Sequence, residues 1–383
     1  MCRPGYAPTE LPGFTLSYDT DIFIVGGGPA GLATAIAARQ RGLSVIVADA
    51  AEPPVDKACG EGLLPDGLAA LQLLGVQVDA GDGYLLNGIR FLDAFGEVAA
   101  RFPSGNGLGV RRITLHQKML ERAHAAGVGM MWDSCVTAMA PEGVVVDGEI
   151  LRARWIVGAD GSGSRVRHWS GLDAGVRRQR VAFRQHYCIS PWSAYTEVYW
   201  GDERQAYVTP VGQEQVCVAA IGGARGGRIT EVLGSFPSLA RRLEGATPAA
   251  AERGAVTAMH RLKRVWRGNV ALIGDASGGV DAITGEGLAL SFHQSLALAE
   301  ALATGNMPAY QRAHRKLSHR PAVMGRLLLL LDKYPHLRGR VFKSFVRNPP
   351  LFSRLVAVHV GEATPSEMAT AGATLGWRLL RNA

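Results

Sequence analysis

A glycine-rich turn between two short apolar runs constrains the fold of this chain more than any other feature of the sequence. Residues 22–25 are apolar and mostly β-branched, which predicts a buried parallel strand. Gly26, Gly28 and Gly31 follow at once in a GxGxxG pattern, and the Ala-rich residues 32–42 favour a helix. A strand, a glycine turn and a helix in this order are typical of a βαβ unit that binds a dinucleotide.

Each glycine of the turn has a physical reason to be there. Gly26 permits the tight turn, Gly28 lets a pyrophosphate approach the backbone, and Gly31 lets the helix pack on the strand. The start of the helix presents free N–H groups and a partial positive charge to phosphates. The residues expected to hold a dinucleotide here are Gly26, Gly28, Pro29, Ala30 and Gly31.

An acid at the end of the second strand completes the motif. Residues 43–48 predict that strand, and Asp49 follows it, about 20 residues after the glycine turn. A carboxylate in this place accepts a hydrogen bond from a ribose hydroxyl. A solvent-exposed acid that ends the strand without a ligand is the alternative.

The composition supports a large folded core. The chain has 383 residues, of which 47% are hydrophobic and 19% charged, so disorder is excluded as its main state and about two domains are expected. No apolar run approaches the roughly 18 residues that span a bilayer. Residues 1–20 lack the apolar segment of a signal peptide, so a cytoplasmic location is expected. The five cysteines are far apart without a CxxC pair, so neither a metal site nor a disulfide framework is predicted.

Positive charge is concentrated at the end of the chain. Residues 308–383 contain 13 Lys and Arg against 3 Asp and Glu, a net charge of +10, which leaves −2 for the rest of the +8 chain. No helix-turn-helix, RNP-like or zinc-finger pattern accompanies this charge. Nucleic-acid binding is therefore not predicted.

Two later segments repeat the pattern of a strand that runs into a glycine-containing turn. In residues 155–167 the strand runs into Asp160-Gly161 and a basic stretch. In residues 270–287 it runs into Gly274-Asp275 and then into Gly285-Glu286-Gly287, where a helix to about residue 303 is predicted.

With these three segments in this order, the chain resembles FAD-dependent enzymes of the p-hydroxybenzoate hydroxylase fold. These are the class A flavin monooxygenases and the related geranylgeranyl reductases, and the resemblance covers about residues 20–310. It implies an α/β fold with a Rossmann-like (GR2-type) FAD-binding domain, an inserted antiparallel β-sheet domain for substrate and a helical C-terminal segment. The expected bounds are 20–80, 104–178 and 255–307 for the first, 81–103 and 179–254 for the second, and 308–383 for the third.

The resemblance also implies roles for individual residues. Asp275 is expected near the ribityl chain of FAD, and Asp160 beside the pyrophosphate. The family's R-x-x-L arginine, which reaches the FAD phosphates, corresponds to Arg112 with Leu115, although the neighbouring Arg111 leaves one position of ambiguity.

The helix that opens at Gly285, Glu286 and Gly287 is expected to point its positive end at the flavin. That end would favour an anionic reduced flavin, and the small residues allow a close approach of the backbone. An ordinary helix cap at Thr284 is compatible with this role.

Residues 57–65 resemble the K-x-C-G-x-G-L-x-P stretch of the geranylgeranyl-reductase-like branch. The stretch is expected to line the flavin, which makes Cys59 a candidate flavin neighbour. A small buried hydrophobic side chain is the alternative for Cys59. Glu61 either orients a substrate or faces solvent.

Four runs at hairpin spacing predict the substrate sheet: 181–190, 197–200, 205–211 and 215–221. Alternation places Arg184, His186 and Cys188 on one face, and Tyr207 with Thr209 on one face. We expect one of these sets to meet the substrate, with His186 and Tyr207 as candidates for handling a phenol proton. For each single residue, a solvent-facing side of the sheet is the favoured alternative.

The basic tail is predicted to consist of helices broken at Pro321, Pro335 and Pro349-Pro350. Such helices, rich in Leu, Phe and Arg, can lie on an anionic membrane or cap a lipophilic pocket. Plain packing against the FAD domain, with the arginines in water, is the favoured alternative.

The resemblance implies an FAD-dependent monooxygenase that hydroxylates a hydrophobic aromatic or polyketide-like small molecule. NADPH or NADH would reduce the FAD, and O2 would then give a flavin C4a-hydroperoxide. Residues 222–227 lack the GxGxxG spacing and are expected to form a loop, so no second dinucleotide domain is predicted.

Two alternatives stay open. One is a reductase that saturates C=C bonds of an isoprenoid or other lipid, which residues 57–65 favour. Residues 207–210 lack the Trp and Phe of the aromatic segment that geranylgeranyl reductases carry there, which weighs against it. The other is a flavin electron-transfer accessory protein, which would have no use for a substrate sheet.

Overall fold

The computed structural model of the chain describes residues 18–222 and 228–364, together with 366–367, 369–370 and 372–374. The expected loop at 222–227 lies almost entirely outside the described residues. So does most of segment 1–20, in which the sequence predicts no signal peptide.

Strands and helices alternate in the first part of the described chain, a long antiparallel region follows, and helices end it. The strands are β1 (Thr20–Val25), β2 (Val45–Ala48), β3 (Gly62–Leu63), β4 (Tyr84–Leu86), β5 (Gly88–Asp93), β6 (Gly96–Arg101), β7 (Gly107–Gly109), β8 (Gly129–Met131), β9 (Val136–Ala140), β10 (Gly143–Val146), β11 (Glu149–Gly158), β12 (Val176–Cys188), β13 (Tyr195–Trp200), β14 (Arg204–Gly212), β15 (Gln215–Gly222), β16 (Thr247–Pro248), β17 (Arg253–His260), β18 (Trp266–Arg267) and β19 (Val270–Leu272). The α-helices are α1 (Pro29–Arg39), α2 (Pro65–Leu73), α3 (Arg112–Ala125), α4 (Arg165–Trp169), α5 (Ile229–Leu233), α6 (Pro237–Arg242), α7 (Gly287–Thr304), α8 (Met307–Lys333), α9 (Pro335–Arg347) and α10 (Pro349–His359).

The first strand lies at the centre of a mainly parallel sheet with the order β18-β19-β11-β1-β2-β8. β1 pairs in parallel with both β2 and β11. Ile22 and Ile24 join the core cluster that contains Leu32 of α1 and Phe292 of α7, whereas Phe23 joins the cluster that contains Val144. Because both faces of β1 are covered, its apolar run is continuous. The predicted strand, glycine turn, helix and second strand are confirmed.

A second sheet has the order β16-β12-β15-β14-β13-β5-β6, with β17 also paired to β12. Its neighbours run antiparallel except for β13 and β5, which run parallel. The four strands predicted between residues 181 and 221 are all present as β12 to β15. β17 (Arg253–His260) straddles the expected domain boundary at 254–255 and belongs to this sheet. β3, β7 and β4 form a small third sheet.

Helices α8, α9 and α10, here called the C-terminal helices, pack on the second sheet. Phe342 and Phe352 join Val98 of β6 and Trp200 of β13 in one buried cluster. The expected break at Pro321 is wrong, because α8 runs through this buried residue. The proline removes one backbone hydrogen bond, and the packing of α8 on the protein outweighs that loss.

The other expected helix breaks are confirmed, because Pro335 and Pro349 each open a new helix. The first turn of a helix tolerates proline, since the N–H there has no partner within the helix. None of the helices in the described part of the chain has the length and apolar character needed to cross a bilayer.

The contact between α1 and the glycine turn yields a stability prediction. A Cβ atom at Gly31 would overlap the carbonyl oxygen of Gly26. The φ of Gly26 is 110°, so the turn there has a backbone conformation that other residues rarely adopt. Overpacking of this kind costs about 1–3 kcal/mol, and more where the backbone cannot shift. For Gly31→Ala we expect the free energy of unfolding in urea to fall by about 3 kcal/mol.

Gly175→Ala is the matched control, because a Cβ atom there would meet no heavy atom within 4 Å. We expect it to change the free energy of unfolding by less than about 0.5 kcal/mol. Equal losses in the two variants would contradict the packing argument.

Candidate active site

A cavity of about 720 Å³ lies where the parallel sheet, the second sheet and the C-terminal helices meet. One end is formed by the turns that follow β1, β11 and β19. Most of the residues that the sequence predicts to bind a dinucleotide line this end: Gly26, Gly28, Pro29, Ala30, Asp49, Arg112, Asp160, Gly274, Asp275, Gly285 and Gly287. The structure thus brings together three segments that are far apart in the chain.

The cavity wall also distinguishes between two neighbouring arginines that the sequence leaves as alternatives. Arg112, the first residue of α3, lines the cavity, whereas its neighbour Arg111 does not. Gly31 lies behind the wall, where it lets α1 pack against the turn, as predicted.

This end of the cavity fits the diphosphate of a dinucleotide. Helices α1 and α7 both begin at it, and neither has a side-chain cap or an acid in its first turn. A Cβ atom added at Gly28, Gly285 or Gly287 would meet no heavy atom within 4 Å, so open space lies beside both helix starts. Free N–H groups and two positive helix ends favour an anion there.

The carboxylate of Asp49 binds the backbone of the glycine turn. One carboxylate oxygen accepts from the backbone N–H of Gly27 at 2.7 Å, and the other from that of Ala51 at 2.9 Å. A Cβ atom at Gly27 would overlap the ring of Trp132, so the middle glycine of the triplet is required as well. Sequence reasoning assigns no role to Gly27, because the clash involves a side chain about 100 residues away.

Two more of the predicted acids, Asp160 and Asp275, have partners inside the protein. The carboxylate of Asp160 accepts from the hydroxyl of Ser164 at 2.5 Å and from the backbone N–H of Arg165 at 2.7 Å. It therefore shapes the start of α4 while lining the cavity. Asp275 lies 3.9 Å from the ammonium group of Lys57, an ion pair that is half-exposed.

The comparisons with known proteins agree with this geometry. The sequence profile of a family described as "FAD binding domain" matches residues 19–214. The chain belongs to this FAD-binding family. The expected cofactor FAD and the α/β fold are thereby supported, and the residues that line the dinucleotide end fit that cofactor.

Relatives carry names of two kinds. The menaquinone reductase of Mycobacterium tuberculosis is 27% identical over 315 residues, which cover 74% of this chain and 76% of the relative. The putative FAD-dependent monooxygenase YetM of Bacillus subtilis is 27% identical over 325 residues, which cover 73% of this chain and 84% of the relative. The structure of the flavin-dependent brominase Bmp2 has a TM-score of 0.79 at 19% identity and covers 95% of this chain and 98% of that one. This last likeness shows the shared fold alone.

The three predicted catalytic residues are placed very differently. Cys59 lines the cavity and is half-buried, as expected for a neighbour of the flavin. Tyr207 lines it too, but its hydroxyl donates to the carbonyl of Ile283 at 2.8 Å, and burial raises its pKa far above the usual range. His186 is fully buried and not part of the wall. The acid–base roles proposed for Tyr207 and His186 are therefore not supported by their positions.

The favoured expectation of a solvent-facing polar side is wrong for four of the five sheet residues. Arg184, His186, Tyr207 and Thr209 are buried, whereas Cys188 is exposed. Arg184 and His186 face the parallel sheet, and there they bind an acid from another segment.

That acid is Glu61, whose carboxylate connects the two sheets. One oxygen accepts from the backbone N–H of Arg112 at 2.9 Å, and the other lies 2.6 Å from Nε2 of His186. Arg184 donates to Nδ1 of the same imidazole at 2.8 Å and to Asp56 at 2.5 Å. We call Glu61, His186, Arg184 and Asp56 the Glu61 network.

The network fixes the hydrogen positions on His186. Because the guanidinium of Arg184 can only donate, Nδ1 must accept, and the imidazole proton lies on Nε2 and is donated to Glu61. Glu61 lines the cavity with φ at 58°, a conformation that is rare outside glycine. The sequence predicts that Glu61 either orients a substrate or faces solvent. Its carboxylate is instead buried and bound to protein groups. The network was not predicted, because its members come from distant segments.

The Glu61 network also bears on metal binding. Donor atoms of Glu61, His186 and Cys217 lie within 4.8 Å of one another. The guanidinium of Arg184 occupies the same space, 3.8 Å from the carboxylate, so a second cation would be repelled. Burial also raises the pKa of the Cys217 thiol well above its usual value, which disfavours the thiolate that a metal needs.

Glu286 does not line the cavity, which corrects its predicted role at the cofactor site. It is buried behind the wall, 3.0 Å from Arg320 and 3.5 Å from His359. Burial raises the pKa of Glu286 to about 8 and lowers that of His359 to about 4. Arg320 also pairs with Asp66 at 3.2 Å, so these residues tie the start of α7 to α2, α8 and α10.

A second buried polar cluster, also unpredicted, lies at the inner side of the cavity. Arg180 donates to Gln205 at 2.9 Å and lies 3.7 Å from Asp281 and 3.5 Å from Asp332. Asp281 lines the cavity, and it comes from the turn that carries the Gly274-Asp275 motif. The cluster thereby joins the second sheet to that turn and to α8.

The remaining part of the cavity is apolar, and we call it the apolar chamber. The second sheet contributes Ile89, Phe91, Val198, Trp200, Ala219 and Ile221, and the C-terminal helices contribute Met324, Leu327, Leu328, Leu330, Leu331, Leu337, Val341, Phe345, Phe352, Leu355 and Val356. The helices thus cap a lipophilic pocket, one of the two specific functions predicted for the tail. Plain packing, the favoured alternative, is an incomplete description.

The Glu61 network yields a prediction of charge compensation. Arg184→Met would leave the buried carboxylate of Glu61 without its guanidinium, and breaking such a pair costs about 3–5 kcal/mol. We expect the free energy of unfolding in urea at pH 7 to fall by that amount. A second removal, Glu61→Gln in the Arg184→Met protein, should restore part of it.

Arg253→Met is the matched control. Arg253 also pairs with Asp56, at 3.5 Å, but its side chain is 56% exposed, against 1% for Arg184. An exposed pair contributes about 0–1 kcal/mol, so we expect a loss within that range. Comparable losses in the two methionine variants would refute the compensation argument.

Asp49 yields a prediction of cofactor affinity. Asp49→Ala removes the acceptor that holds Gly27 and the carboxylate expected to bind a ribose hydroxyl. Charged hydrogen bonds contribute about 1.5–3 kcal/mol each, so we expect the Kd for FAD, measured by flavin fluorescence, to rise about 10- to 100-fold. Asp79→Ala is the control, because Asp79 also accepts from a turn N–H, that of Gly81 at 2.7 Å, yet does not line the cavity. An unchanged Kd for Asp49→Ala would contradict this role.

Proposed function

We propose that this protein is an FAD-dependent monooxygenase that hydroxylates a lipophilic aromatic compound, with NADPH or NADH as the reductant. One observation carries the proposal. The cavity continues from the dinucleotide end directly into the apolar chamber, so a bound substrate would have one part beside the flavin and the rest among apolar side chains.

Bound FAD would supply the redox chemistry, taking electrons from the nicotinamide and delivering one oxygen atom of O2 to the substrate, while the other atom leaves as water. The chain's own residues hold the reacting groups and exclude water. The start of α7 presents its positive end to the dinucleotide side of the cavity, where it stabilises developing negative charge. The apolar chamber keeps water away from the reaction.

Polar groups on the wall mark where the reacting part of the substrate would lie. Cys59 and Glu61 line the cavity from the segment after β2, and Thr196 and Thr209 line it from the second sheet. A Cβ atom at Gly62 would lie 3.6 Å from the Thr196 hydroxyl and 3.8 Å from the Thr209 methyl group, so the two threonines flank the segment that bears Glu61. A substrate hydroxyl placed there would meet the hydroxyl groups of the two threonines, and its reactive ring would face the flavin side.

A reductase that saturates C=C bonds of a lipid is the second candidate. The name of the menaquinone relative and the resemblance of residues 57–65 to the geranylgeranyl-reductase-like stretch favour it. The apolar chamber suits such a substrate equally well. A pure electron-transfer protein is less suitable, because a deep apolar chamber serves no purpose in it.

Oxygen dependence separates the two candidates. We expect the FAD-loaded protein, given NADPH or NADH and a series of 4-alkylphenols, to consume O2 and to yield a product heavier by one oxygen atom. With ¹⁸O2 the label should enter the product, and no product should form under nitrogen. A product heavier by two hydrogens, formed without oxygen from an unsaturated isoprenoid probe, would reject hydroxylation and support the reductase.

A further inference from the structure

Helix α8 exposes four large apolar side chains on one face. Val323, Leu327 and Leu330 are 37%, 49% and 44% exposed, and Tyr334, which caps the helix, is 47% exposed. Their spacing of four, three and four residues places them in one row along the helix. We call these four residues the exposed stripe. Single exposed apolar residues are ordinary, but a contiguous row marks an interaction surface.

The exposed stripe is also the rim of the cavity. Leu327 and Leu330 line the cavity as well as facing solvent, and the neighbouring Leu331 and Leu337 line it too. The apolar chamber therefore opens to the outside beside the stripe. A lipophilic compound that enters here meets apolar side chains on both sides of the opening.

The exposed charges of α8 beside the stripe are positive. Helices α8 to α10 contain eleven Lys and Arg against a single acid, Asp332, which is buried. Two of these cations, Arg320 and Arg338, are paired with acids of other segments. At about 100° per residue, Lys316 lies on the same face of α8 as the stripe, and Arg326 flanks it. Both of these side chains, and that of Lys333, are exposed.

We propose that the exposed stripe and the basic residues around it dock on an anionic membrane surface, so that substrate passes from the lipid layer into the cavity mouth. The apolar side chains would enter the boundary between headgroups and acyl chains, while Lys and Arg bind anionic headgroups. A second copy of the chain fits this face less well, because its equal positive charge would repel the first. The proposal concerns binding alone and holds whichever reaction the flavin performs.

The test is sedimentation of the FAD-loaded protein with sucrose-filled vesicles. We expect binding to vesicles of phosphatidylcholine with phosphatidylglycerol, little binding to phosphatidylcholine alone, and a decline as the salt concentration rises. Val323→Glu combined with Tyr334→Glu should weaken binding tenfold or more, since neither residue lines the cavity. Lys316→Gln combined with Arg326→Gln should weaken it several-fold without placing a charge in the stripe.

Leu73→Glu combined with Ile150→Glu is the matched control. These residues are 66% and 50% exposed, and they lie on α2 and β11, away from the stripe. The control should bind vesicles like the unchanged protein, and all variants should keep their FAD and their thermal midpoint. Three results would overturn the proposal: no binding of the unchanged protein to anionic vesicles, equal binding of the two glutamate variants, or a dimer in light scattering that only the stripe variant dissociates.

Discussion

The position of the active site depends on one buried carboxylate. Glu61 accepts hydrogen bonds from the start of α3, on the FAD side, and from His186 of the second sheet. A buried carboxylate without such partners would be strongly destabilising, so the two sheets are held at the distance that satisfies it. Arg184 supplies the compensating charge, which disfavours a metal ion in the same place. Of these groups, Glu61 lines the cavity, and His186 supports it from behind the wall.

The dinucleotide end of the cavity and the apolar chamber are built by different physical means. At the dinucleotide end, the surface consists largely of backbone groups. The glycines and the two helix starts leave free N–H groups with open space beside them. In the apolar chamber, side chains form the surface, and almost all are apolar. This division suits a protein whose cofactor carries out the reaction while the chain binds, orients and excludes water.

The C-terminal helices connect the apolar chamber to the surface of the molecule. Their inner faces complete the apolar chamber, and the exposed face of α8 borders its opening. Arg320, Glu286 and His359 tie the same helices to the start of α7. A shift of α8 would therefore change contacts both at the opening of the chamber and at the start of α7.

The sequence by itself determined the FAD-binding part of this protein. The strand, the glycine turn, α1 and Asp49 follow one another within 30 residues, and their geometry depends on local backbone conformation, so they could be read directly. It also predicted four strands of the second sheet, since short strand-forming runs at hairpin spacing are a local signal. Only the tertiary structure decided that Glu61 meets His186 across 125 residues, that Tyr207 binds a carbonyl, that Glu286 faces away from the flavin and that α8 continues through Pro321. Such contacts depend on how distant segments pack, which no local pattern records.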